Sequence, residues 1–132
     1  MTACCHRRTP VQMKPLDPAF PIQEQLALAA DGPVVLANLF TMDAADEPAF
    51  LDAWAVDAVW MKARPGFIST QLHRALGESP AYLNHAVWET LDAFRAAFGD
   101  PAFRAKLAAY PGSVVISPHL FQRFAVPGIC VE

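Results

Sequence analysis

A chain of 132 residues is long enough for one domain with a real core, and its net charge of −3 with no basic run beyond His6-Arg7-Arg8 argues against nucleic-acid binding. At 54% hydrophobic and 17% charged residues it is apolar for a soluble protein, which a large shared interface or an apolar pocket would explain. No apolar run approaches a membrane span, and an odd number of cysteines at the chain ends (Cys4, Cys5, Cys130) points to a reducing, cytosolic compartment rather than a disulfide framework.

Residues 1–31 carry Pro10, Pro15, Pro18 and Pro21 and read as an extended arm, because proline lacks an N–H and restricts its neighbour. The N-terminus has no apolar run before Pro10, so no signal peptide is expected. Cys4-Cys5-His6 lacks a second pair of ligands at any usual spacing, so no metal site is expected there. Residues 22–30 can form a short helix that Asp31-Gly32 breaks. An arm of this kind either wanders in solvent or clasps a partner subunit. Residues 33–41 are the first strand, whose near-continuous apolar run suggests burial on both faces. Asn38 is the polar side chain inside it.

Residues 43–64 are the first helix. Phe50, Leu51, Trp54, Ala58 and Met61 recur at helical spacing, and Pro65-Gly66 stops it. Residues 67–76 are the second strand, with Phe67, Ser69, Gln71 and His73 expected on one face and Ile68, Thr70 and Leu72 on the other. Gly77-Glu78-Ser79-Pro80 reads as a hairpin turn. Residues 81–89 are the third strand, which puts Tyr82, Asn84, Ala86 and Trp88 on one side. A phenol, an amide and an indole N–H along an apolar wall suit a planar, oxygenated aromatic ligand. The plainer alternative is a core Trp88 and a satisfied Asn84. Thr90 can cap a second helix with the stripe Ala93, Phe94, Ala97 and Phe98. Asp100 and Pro101 can restart that helix, which continues to Tyr110. Residues 114–126 are the last strand, bent at Pro118, and residues 127–132 are a tail.

The order strand, helix, strand, strand, helix, strand is the split ferredoxin-like βαββαβ arrangement, an α+β fold with a four-stranded antiparallel sheet and both helices on one face. The other face is left bare, which implies a homodimer. The expected boundaries are an arm over 1–31, the folded domain over 32–127 and a tail over 128–132.

At this point the chain resembles the antibiotic biosynthesis monooxygenase family of dimeric α+β barrels, over residues 33 to about 126. The resemblance rests on Val35-Leu36-Ala37-Asn38-Leu39-Phe40, Arg64-Pro65-Gly66-Phe67, Asn84-His85-Ala86-Val87-Trp88-Glu89, Phe94-Arg95-Ala96-Ala97-Phe98-Gly99-Asp100-Pro101 and Tyr110-Pro111-Gly112. It implies oxidation of an anthrone- or quinol-like aromatic by O2, with no metal or flavin cofactor. In the run shared with the family's anthrone oxygenases, Asn84, Trp88 and Phe94 take the places of an Asn, a Trp and a Tyr. The active-site Arg would correspond to Arg104 across a short deletion. The resemblance therefore implies Asn84, Trp88 and Arg104 as catalytic groups, with Asn38, Tyr82, Phe94, Phe98 and Trp54 as substrate contacts; Tyr82 could supply the phenol that Phe94 lacks.

Asn38 also fits the opening-strand Asn of haem-degrading relatives, but the second helix has no His or Trp to serve such a site. His73, His85 and His119 are given no role. The competing class is a non-catalytic ligand-binding or structural dimer; an enzyme or binder needs a cavity of about 300 Å³ or more between helices and sheet, and a filled interior would favour the structural reading.

Overall fold

The computed structural model describes residues 11–131. Cys4, Cys5 and His6, with the start of the arm, lie outside the described residues. In chain order the elements are β1 (Gln12–Met13), α1 (Ile22–Leu26), β2 (Val34–Thr41), a 3-10 turn (Ala44–Asp46), α2 (Glu47–Lys62), β3 (Phe67–Arg74), β4 (Tyr82–Trp88), α3 (Leu91–Phe98), α4 (Pro101–Lys106), a second 3-10 turn (Leu107–Ala109) and β5 (Val115–Phe121). From β2 onward this is the expected α+β, ferredoxin-like order. The sheet itself differs from the expectation: it has five strands in the order β1-β5-β2-β4-β3, and β1 runs parallel to β5.

The extra strand comes from the arm. Gln25 of α1 is only 4% exposed and serves as a latch. Its Nε2 donates to the Phe20 carbonyl at 2.8 Å and lies 3.0 Å from His119 Nδ1, and its Oε1 accepts the Leu120 N–H at 2.7 Å. That N–H points to the sheet edge beyond the end of β1. Pro118, two residues earlier, presents its ring nitrogen to the same edge, so β5 passes through a proline without losing a bond to β2. Gln25→Ala is expected to destabilise the fold by about 2 kcal/mol, because it leaves the Leu120 N–H without its acceptor. Chemical denaturation measures this, and an unchanged midpoint would remove the latch.

Two further features depart from the sequence pattern. A β-bulge between Phe67 and Ser69 turns Phe67 onto the same face as Thr70 and Leu72, edge-on to Trp88 at 5.4 Å. The last strand stops at Phe121; beyond it Gln122 Nε2 donates to the Asp31 carbonyl at 2.7 Å, and Val126 and Cys130 form a short antiparallel bridge.

Helix starts follow the local chemistry. Thr90 Oγ1 accepts the Ala93 N–H at 3.0 Å, and Asp100 Oδ1 accepts the Ala102 N–H at 2.8 Å. Gly66 has φ +85°, and a Cβ there would collide with the Ala93 side chain, so the turn that sets β3 against α3 requires glycine.

The helices cover the sheet face that carries the even-numbered residues of β2, β4 and β5. Apolar side chains there form two clusters. One joins Leu36, Ala86 and Trp88 to Leu91, Phe94 and Ala97; the other joins Phe40, Tyr82 and Ile116 to Phe50, Ala53 and Tyr110. The row between them is Asn84, Asn38 and Pro118, paired side by side across β4, β2 and β5. A polar row therefore divides the core. The opposite sheet face is uncovered: Leu39 is 41% and Ile68 50% exposed. Val35 and Ala37 on that face are half-buried, so β2 is not enclosed on both sides within one chain.

Candidate active site

Where the polar row meets the helices there is a cavity of about 60 Å³. Its floor is Asn38, Asn84, Ala86 and Trp88 on the sheet, with Thr70 from β3. Its roof is Trp54, Asp57, Ala58 and Met61 of α2, and its far wall is Phe94, Phe98, Phe103 and Leu107 of α3, α4 and the following turn. The volume is well below the expected 300 Å³ and below the roughly 150 Å³ void that holds a benzene. It has room for a few water molecules. A fused-ring ligand would have to displace side chains of the α3–α4 wall.

The polar groups on the floor are oriented. Thr70 Oγ1 donates to Asn84 Oδ1 at 2.5 Å, which fixes the amide and leaves Nδ2 available as donor. Asn38, directly opposite Asn84 in the β2–β4 register, has a buried Oδ1 with no partner among the described residues. Trp88 is 1% exposed and clamped edge-to-face between Phe67 and Phe94, at 5.4 and 5.7 Å. Buried polar atoms are ordinarily satisfied, so an orphaned amide oxygen facing a cavity marks a place for water or a ligand.

The roof supplies a carboxyl group. Asp57 is 8% exposed. Its Oδ2 accepts the Tyr110 hydroxyl at 2.8 Å, while Oδ1 is buried without a partner among the described residues. Burial pushes the Asp57 pKa up from its ordinary 3.8 to about 6, against the opposing pull of the Tyr110 hydrogen bond and the Lys106 charge. Burial and the adjacent carboxylate push the Tyr110 phenol far above its usual range, so it stays protonated and donates. An acid that titrates near neutrality inside an apolar cavity can take up or release a proton under physiological conditions.

Of the residues picked out by sequence, Asn38, Asn84, Trp88, Trp54, Phe94 and Phe98 line this one cavity. Tyr82 and Arg104 are not among its lining residues. The Tyr82 hydroxyl donates to Glu47 Oε2 at 2.6 Å, in a cluster with Arg74, and Arg104 is exposed on α4. His85 is exposed on the uncovered face, and His119 is engaged with Gln25. Thr70, Asp57 and Tyr110 were missed. Asp57 had a readable signal: it interrupts the stripe Phe50, Ala53, Trp54, Ala58 and Met61 of α2 with a charge, at a position that must point inward. Tyr110 had none, because its approach to Asp57 depends on how the chain turns after α4.

The family model described as antibiotic biosynthesis monooxygenase matches residues 33–109, from β2 through the second 3-10 turn. The chain belongs to the antibiotic biosynthesis monooxygenase family. The floor and roof of the cavity fall inside the matched segment, whereas the arm, Tyr110 and β5 fall outside it. No curated protein matches the chain by sequence. Among solved structures it is similar to SnoaB, a cofactor-independent oxygenase from Streptomyces nogalater, at 29% identity and TM-score 0.66, over 75% of this chain and 99% of that one. It is also similar to a candidate monooxygenase from Shewanella loihica, at 26% identity and TM-score 0.63, over 74% of this chain and 100% of the other. A candidate family member from Caulobacter crescentus, at 22% identity and TM-score 0.63, covers 79% of this chain and 99% of its own, and shares the fold. Among the described residues no helix is long and apolar enough to cross a membrane.

Proposed function

We propose that this member of the family is a cofactor-independent monooxygenase that oxidises an electron-rich, oxygenated aromatic of the anthrone or hydroquinone type with O2. The observation that carries the reading is the polar floor of Asn84, Thr70, Asn38 and Trp88 in a cavity whose walls are mostly apolar. For an anthrone the balance is a methylene plus O2 giving a carbonyl plus water, and the substrate supplies the electrons once it has lost a proton. The protein has then to exclude water, hold the substrate's oxygen and favour its enolate. The Asn84 Nδ2 and the Trp88 indole N–H are the donors for that oxygen, and a well-placed donor of this kind lowers the barrier by about 2.7–4 kcal/mol. The likeness to SnoaB supports the reaction class. Arg104 is exposed, so its part in the reaction would require α4 to shift when substrate enters.

Oxygen-electrode measurements on anthrones and hydroquinones, with metals chelated, test this reading. Uptake of one O2 per anthrone, with a quinone as product, is the expected result, and no uptake across the panel would overturn it. Thr70→Val is expected to lower kcat about fivefold, the effect of one lost hydrogen bond that orients Asn84. An unchanged kcat would mean that the amide needs no such support.

A second reading is a non-catalytic ligand-binding or structural protein, and the small volume of the cavity favours its structural form. The same electrode experiment separates the two. The reading also includes a cytoplasmic homodimer formed through the uncovered sheet face. Sedimentation showing only monomer at micromolar concentration would refute that part.

A further inference from the structure

We propose that Asp57 is the catalytic base of this site, accepting on Oδ1 the proton that the aromatic substrate loses, with Tyr110 as the positioning residue that holds the carboxylate. The inference rests on the oxygenase reading and adds a group and a step to it. Three observations carry it. Asp57 lines the cavity from the roof, on the side opposite the amide floor. One carboxylate oxygen is fixed by the Tyr110 hydroxyl at 2.8 Å, while the other is buried and has no partner among the described residues. A ligand held by Asn84 and Trp88 would lie between that floor and the carboxylate.

The arrangement divides the work between two walls. The floor donates to the substrate oxygen on which negative charge develops. The roof takes the proton: a substrate C–H or O–H bond breaks, an O–H bond forms on Asp57 Oδ1, and the electron pair stays on the substrate. That pair reduces O2. In an anthrone the new C–O bond forms at the deprotonated carbon, and Asp57 returns its proton to the peroxide. The hydroperoxide then loses water to leave the carbonyl. Each proton and electron is accounted for by the substrate, O2 and the one carboxyl group.

The charged and titratable groups that act on Asp57 are few. Tyr110 donates to it from the segment before β5, and Lys106 on α4 acts through its charge. The sheet side offers the uncharged Asn38 and Asn84. Burial outweighs both Tyr110 and Lys106, so the group is poised near neutrality as a base rather than locked as a permanent anion.

Two measurements on the full chain test the step, with anthrone as the probe. The first is anaerobic: the absorbance of the anthrone enolate is followed on mixing with wild type, Asp57→Asn and Tyr110→Phe. The second is kcat for O2 uptake between pH 5 and 8. Wild type is expected to form the enolate and to lose kcat about tenfold per pH unit below its acidic limb. Asp57→Asn is expected to lower kcat about 10²–10⁴-fold and to abolish the limb. Tyr110→Phe, which removes the hydrogen bond that holds the carboxylate, is expected to lower kcat about fivefold and to move the limb to higher pH. If Asp57→Asn keeps the wild-type enolate rate and pH limb, Asp57 is not the base, while the oxygenase reading stands. If wild type forms the enolate but consumes no O2, the oxygenase reading falls and the proton step survives. If wild type does neither, both are overturned.

Discussion

Asn84→Ala lowers kcat for anthrone oxidation by about 10²–10³-fold while leaving the unfolding midpoint nearly unchanged. The first half follows from geometry. Asn84 Oδ1 is occupied by Thr70 Oγ1, so the amide cannot rotate freely and Nδ2 is the end that meets a ligand. Removing one preorganised donor from a developing oxyanion in a dry site costs about 2.7–4 kcal/mol of transition-state stabilisation. The second half follows from packing. Asn84 is half-buried, and its bond to the protein is a single hydrogen bond, worth about 1 kcal/mol net. Steady-state O2 uptake alongside thermal unfolding reads both quantities on one preparation. Equal activity in the variant would take Asn84 out of the mechanism, and a collapse of stability would make it a core residue.

Asp57→Asn has the opposite character: it raises stability while lowering kcat about 10²–10⁴-fold. The folded protein holds the Asp57 pKa near 6, against an ordinary value of 3.8. Folding therefore favours the protonated form. The corresponding stability is fully present below pH ~4 and is lost as pH rises through about 6. A shift of that size corresponds to about 3 kcal/mol at pH 8. An asparagine keeps the acceptor for the Tyr110 hydroxyl without burying a charge, so the variant gains up to about 3 kcal/mol over wild type at pH 8 and nothing at pH 4. Denaturant titrations at the two pH values check the sign. Equal stability at pH 8 would mean that Asp57 is not held in the environment described, and a less stable variant would mean that its charge is needed for folding. A buried acid that weakens the fold at neutral pH is the kind of residue retained for chemistry rather than for structure.

The elements of this protein are legible in its sequence because they are set by short-range effects. Pro65-Gly66 ends α2, Thr90 and Asp100 cap α3 and α4, and alternation along β4 places Asn84 and Trp88 on one face. The cap positions, the apolar stripe of α3 and the split ferredoxin-like order all follow from chemistry within a few residues along the chain. The bulge after Phe67 is the exception at this level, since one extra residue flips a face and leaves no composition signal.

What the tertiary structure decided depends on groups far apart in the chain. Gln25 recruits the arm to β5 through atoms 95 residues apart, which adds a parallel strand that proline content alone would not suggest. Tyr82 lies on the strand face expected of it, yet a hydroxyl bond to Glu47, 35 residues away, takes its phenol out of the cavity. The phenol that does reach the cavity belongs to Tyr110, set against Asp57 across 53 residues. Periodicity specifies which way a side chain points; whether it meets a partner, an empty space or a neighbour's hydroxyl is fixed only when the elements pack.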